Sequence, residues 1–208
     1  MKIKHLLIAC ILILVQMVTY AEPIAIDKGS DTEYQWVMEQ LNDTYSRVLK
    51  NYANNRAFTE QLKKSQQAWT KFRNAEMNAI FPHGANTSHY GNYYNAARLH
   101  WLSKLDQQRT AQLWRWLNLS LSNNPQSRLK QLEKTMNATY NNILKKHEND
   151  KDFVKKLKAS QSAWNKFRKA EINAIKKSDY FGYSIPNAND YWSGKLVEDR
   201  ILQLERWE

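Results

Sequence analysis

The stretch Ser65-Gln66-Gln67-Ala68-Trp69-Thr70-Lys71-Phe72-Arg73-Asn74-Ala75-Glu76-Met77-Asn78-Ala79-Ile80 occurs twice in the chain. Its second copy reads Ser160-Gln161-Ser162-Ala163-Trp164-Asn165-Lys166-Phe167-Arg168-Lys169-Ala170-Glu171-Ile172-Asn173-Ala174-Ile175. Widening the comparison to residues 42–80 and 137–175, at a constant offset of 95 and without a gap, leaves 21 of 39 positions identical. Self-similarity at a fixed offset marks a duplicated structural unit. The similarity resumes at an offset of 91, where Trp101, Lys104, Leu105, Arg109, Gln112, Leu113, Arg115 and Trp116 match Trp192, Lys195, Leu196, Arg200, Gln203, Leu204, Arg206 and Trp207. The change of offset puts a length difference between the second and third segments of the unit, where a loop absorbs it.

Apolar residues recur at helical spacings through each copy, and alternating β-branched runs are absent. Each unit therefore reads as helix, helix, loop, helix. The predicted helices are 31–52, 57–80 and 95–118 in the first unit, and 126–147, 151–176 and 189–207 in the second. Asn123-Asn124-Pro125 breaks the chain between them, because proline disfavours helix at the residue before it. With 5 glycines and 4 prolines in 208 residues, breakers are few. The fold class is all-α: two tandem three-helix units, 31–118 and 126–208, forming a helical bundle.

Residues three and four apart share a helix face. On the second helix that rule collects Leu62, Gln66, Trp69, Arg73, Glu76 and Ile80, with Leu157, Gln161, Trp164, Arg168, Glu171 and Ile175 in the copy. A charged pair on an apolar face persists only when each charge finds a partner. Arg73 and Glu76 are read as an ion pair that also reaches Arg109, with Arg168, Glu171 and Arg200 repeating it. The repetition favours a structural latch over a catalytic carboxylate, since an active site need not be built twice.

The first residues read as an export signal. Lys2 and Lys4 precede an apolar run from Leu6 to Val18, and Val18-Thr19-Tyr20-Ala21 ends it with cleavage predicted after Ala21. The run is shorter than the roughly 20 residues of a bilayer span, so no stable transmembrane anchor is expected. Leu7-Ile8-Ala9-Cys10 has the shape of a lipidation box, but the apolar run continues past Cys10. The predicted location is periplasmic or secreted. Loss of residues 1–21 removes two lysines and no acid from a chain of net charge +11, leaving +9, and removes its single cysteine. Disulfides and thiol chemistry are excluded from the remainder.

Leu41-Asn42 with Tyr45, then Gln66 through Glu76, then Leu105 with Arg109 and Leu113 resemble the LprI-like family. Met136-Asn137 with Tyr140, then Gln161 through Glu171, then Leu196 with Arg200 and Leu204 resemble it again. The family comprises small exported bacterial helical domains and takes its name from a lysozyme inhibitor. The resemblance implies binding rather than catalysis, with a lysozyme-like muralytic enzyme as the implied partner. It also implies a cysteine after the Ala-Glu pair, bridged to the start of the third helix. Here those positions are Met77 and Ile172.

Function classes narrow accordingly. No nucleophile, phosphate loop or metal-ligand cluster stands out, so no enzyme activity, cofactor or metal is expected. The positive charge favours an acidic protein, an anionic envelope polymer or a phospholipid surface over a basic partner. Nucleic acid is disfavoured for an exported chain. An immunity protein against a toxin delivered to the periplasm is a version of the same inhibitory reading; the runner-up is a basic adaptor for anionic envelope material, and an enzyme is third. Recognition is expected where the copies diverge, in the loops carrying Phe81, His83, His89, Tyr90, Tyr93 and Tyr94, and Tyr180, Phe181 and Tyr183. Tyrosine with Asn, Ser and Gly is the composition of adaptable binding surfaces; the alternative is that these rings cover the open end of the bundle.

Overall fold

The computed structural model describes residues 28–84, 91–117, 128–178 and 188–207. The segment 1–21, and with it the predicted cleavage, lies outside the described residues, as do His89, Tyr90, Tyr180, Phe181 and Tyr183. Six helices follow in order: α1 Lys28–Asn51, α2 Arg56–Ile80, α3 Gly91–Leu117, α4 Leu129–Lys146, α5 Lys151–Ile175 and α6 Ala188–Glu205. Among the described residues there is no strand.

The local chemistry repeats with the sequence. α2 starts after Asn55, whose side chain accepts the Phe58 amide, and α5 starts after Asp150, whose side chain accepts that of Phe153, each at 2.9 Å. Both caps satisfy an amide that has no partner within the helix. Beyond α2, Gly84 takes φ 60°, a left-handed turn that glycine adopts without a steric penalty.

Buried positions on α1 are Tyr34, Val37, Leu41, Thr44 and Val48, a three-four spacing that turns one face inward. On α2 the fully buried line runs through Leu62, Ser65, Trp69, Phe72, Glu76 and Ala79. The sequence reading had set Gln66, Arg73 and Ile80 on that line, and these are half-buried instead. The reason is packing on two sides: α2 faces α5 through Ser65, Phe72 and Glu76, while Gln66 and Arg73 lean towards α3.

The closest helix pairing is α2 with α5, one from each copy, and α1 lies along α3 as α4 lies along α6. Ser65 donates to Glu171 and Ser160 donates to Glu76, so α2 and α5 run antiparallel. Phe72 and Phe167 stack between those bonds, 6.3 Å apart and within 4° of parallel. On α3 and α6, Gln112 donates to Asp199 and Gln203 to Gln108, again an antiparallel pairing. Each contact has a counterpart at the repeat offset, which defines a pseudo-twofold axis between the copies. The contact geometry is that of an isologous dimer, written in one chain.

Candidate functional site

Two places carry charge or aromatic surface beyond ordinary packing: the ion pairs on the pseudo-twofold seam, and a cleft at one end of it. Arg109 pairs with Glu171 at 3.2 Å and Arg200 with Glu76 at 3.0 Å, all four side chains fully buried. Each carboxylate also takes an indole N–H from the end of its partner's unit, Trp116 to Glu171 at 3.1 Å and Trp207 to Glu76 at 3.2 Å. Each arginine donates through Nε to a glutamine of its own unit, Gln66 or Gln161, at 2.9 Å. The guanidinium carbons sit 5.1 and 5.2 Å from the rings of Phe167 and Phe72, a favourable cation–π placement.

This corrects the sequence reading of the latch. Glu76 pairs with Arg200, not with Arg73 or Arg109, and Glu171 pairs with Arg109, not with Arg168 or Arg200. The antiparallel α2–α5 contact aims each glutamate across the axis, so the third helix it meets belongs to the other copy. Arg73 is released to Asp106, with Nε at 2.8 Å and Nη2 at 3.0 Å from the two carboxylate oxygens, and it also donates to the Tyr34 hydroxyl. Arg168 turns instead to Glu133 and Ser193.

Burial has electrostatic consequences around Arg73. It pushes the Asp106 carboxyl up to about 6, with Arg73 only partly opposing it. Burial likewise raises Tyr34, and takes Tyr45 up to about 12. Asp199, held by Gln112 and Arg115, is raised by burial as well.

The two ends of the pseudo-twofold seam differ. At one, Tyr52, Phe58, Trp116 and Trp192 form a continuous chain of tilted rings with successive centroids 4.5, 4.7 and 4.5 Å apart. Trp116 and Trp192 are buried there, and Tyr52 donates to the Trp116 carbonyl at 3.0 Å. The equivalent residues at the other end are His147, Phe153, Trp207 and Trp101. His147 and Phe153 still meet at 4.4 Å and Phe153 and Trp207 at 5.5 Å, but Trp101 carries Arg206 over its ring at 5.8 Å. A cavity of about 310 Å³ opens between Ile80, Trp101, His147, Phe153, Arg206 and Trp207.

Of the loop residues expected to bind, Phe81 is a correction. It is buried, packs edge-to-face on Tyr94 at 5.4 Å, and joins Met77, Leu99, Leu102 and Leu105 in a small second core. Tyr94 is half-buried against the same core. Both rings belong to the packed interior of the first unit. His83 is exposed, and Tyr93 is 92 % exposed at the start of α3. Met77, at the position where the family resemblance implies a cysteine, packs into that second core. Sequence reasoning missed Asp106, Trp101 and the cleft. Trp101 and Trp192 align in the repeat, so nothing in the pattern tells the open end from the closed one.

The geometry defines a class: an all-helical protein of two tandem copies, locked by buried ion pairs across a pseudo-twofold axis. The family model described as "Lysozyme inhibitor LprI" matches residues 20–113 and again residues 120–204, and the chain belongs to that family. Neither the curated proteins nor the solved structures contain a match to the chain. Among the described residues, no helix is long and apolar enough to cross a membrane.

Proposed function

We propose that this protein acts by binding, as an inhibitor of a lysozyme-like muralytic enzyme in the cell envelope, and is exported by residues 1–21. The family match over both copies carries the reading. The repeated helices form the scaffold, and the contact surface is the open end of the pseudo-twofold seam. Tyr93 stands 92 % exposed at the start of α3, the helix that also carries Trp101, and its rigid ring offers contact area at small entropic cost. The cleft, with Trp101 and Trp207 on its walls, can seat a partner side chain as interface hot spots do.

The test is inhibition. The protein lacking residues 1–21 is titrated into a panel of lysozymes hydrolysing a cell-wall suspension. Saturable inhibition of at least one enzyme is the expected result, and Tyr93→Ala weakens it by about tenfold with unchanged melting. Absence of inhibition across the panel, or full inhibition by a variant with Tyr93 and Trp101 both replaced by alanine, contradicts the proposal.

A further inference from the structure

The copies diverge in charge on the outward face of their second helices. On α5 a straight line of exposed positions, spaced three and four apart, runs Lys151, Lys155, Lys158, Ser162, Asn165, Lys169, Asn173 and Lys176. It holds five lysines and no carboxylate over a helix length of about 37 Å. The same line on α2 runs Arg56, Glu60, Lys63, Gln67, Thr70, Asn74, Asn78 and Phe81. There Arg56 and Glu60 neutralise each other at 3.1 Å. Since the scaffold is common to both copies, packing does not require the lysines of α5.

The line also borders a cavity. It has a volume of about 490 Å³ and lies along the C-terminal half, lined by Asn165, Lys169 and Asn173 of α5, Lys176 just after it, and Asn189 and Asp190 of α6, with Arg168, Ser193 and the apolar Leu129 and Ile172 completing the wall. Amides alternate with ammonium groups on that wall. The acids nearby are Asp190 itself, Glu133 held by Arg168, and, at the far end, Glu148, Asp150 and Asp152, the last held by Lys156. The outward line carries no aromatic ring on which a base could stack, which disfavours single-stranded nucleic acid. It carries no large apolar side chain to enter a bilayer, which disfavours insertion into lipid.

From these observations we infer a second binding surface, independent of the inhibitory reading: the α5 lysine line and the α5–α6 cavity bind an acidic polysaccharide. Lysines pair with its repeating acid groups, while Asn165, Asn173 and Asn189 hydrogen-bond its hydroxyls. Charge sets the on-rate and the amides set the preference for a sugar chain.

Calorimetry with alginate of defined length as the probe tests this, with dextran, polyphosphate and anionic phospholipid vesicles as comparisons. The protein binds alginate in a salt-sensitive manner and does not bind dextran. Replacing Lys155, Lys158, Lys169 and Lys176 by glutamine weakens alginate binding by about tenfold or more. Replacing Lys63, Lys64 and Lys71 by glutamine leaves it within about twofold. Asn165→Ala with Asn173→Ala weakens alginate but not polyphosphate, and circular dichroism confirms that each variant is folded. All variants retain lysozyme inhibition, which separates this surface from the first. The inference is overturned if alginate does not bind at low salt, if both lysine sets weaken it equally, or if polyphosphate or vesicles bind as tightly with the same variant profile.

Discussion

Asp106 sits 1 % exposed beside Arg73, so two effects of opposite sign act on one carboxyl. Removal from water favours the neutral acid, and the guanidinium favours the anion. Burial prevails, placing the group at about 6, above the ordinary carboxylate range. A group raised on folding stabilises the fold fully below its unfolded value and loses that contribution as pH rises through the folded one. The stability difference between the wild type and Asp106→Asn is therefore larger at pH 4 than at pH 7, by about 2–3 kcal/mol. Denaturant unfolding of both proteins across that range measures it. A difference that grows towards pH 7 would show instead that the Arg73 ion pair outweighs desolvation. In the second copy the equivalent of Asp106 is Val197, and Arg168 finds Glu133. Nothing in the repeat pattern marks Asp106, because a repeat singles out duplicated residues and this one is not duplicated.

At the scale of elements, all six helices were legible from spacing and breakers, with ends displaced by a few residues. The third helix begins at Gly91, ahead of the predicted residue 95, and α4 begins at Leu129, after the predicted 126. The face of α2 was less legible. Periodicity finds an apolar stripe, but α2 packs on both α5 and α3, and two contact faces blur a single stripe into a wide arc. The loop residues divide for a related reason: an aromatic residue near a helix end can cover a core or await a partner, and composition is the same in both cases. Phe81 and Tyr94 do the first. Tyr94→Ala should accordingly lower stability by about 1–3 kcal/mol, through lost packing in the second core, while Tyr93→Ala changes it by less than about 0.5 kcal/mol. Thermal melts of the two variants decide the point; equal effects would mean that Tyr93 too is held by the fold.

For the whole molecule, duplication has turned an isologous contact into an intramolecular one. Four buried charges lie along the axis, each arginine facing a glutamate from the other copy. Such pairs add little net stability over apolar packing, but they fix which surfaces meet, since a slipped register strands a charge. That the charged residues repeat was plain in the sequence. That they pair crosswise was not, because a repeat specifies its own unit and leaves the symmetry between units open. A double-mutant cycle on Glu76 tests this crossing most directly. Glu76→Gln and Arg200→Met should each cost about 3–5 kcal/mol in denaturant unfolding, and their combination should cost markedly less than the sum. Glu76→Gln with Arg109→Met should come closer to additive. Stronger coupling of Glu76 to Arg109 than to Arg200 would contradict the crossed latch and the pseudo-twofold arrangement built on it.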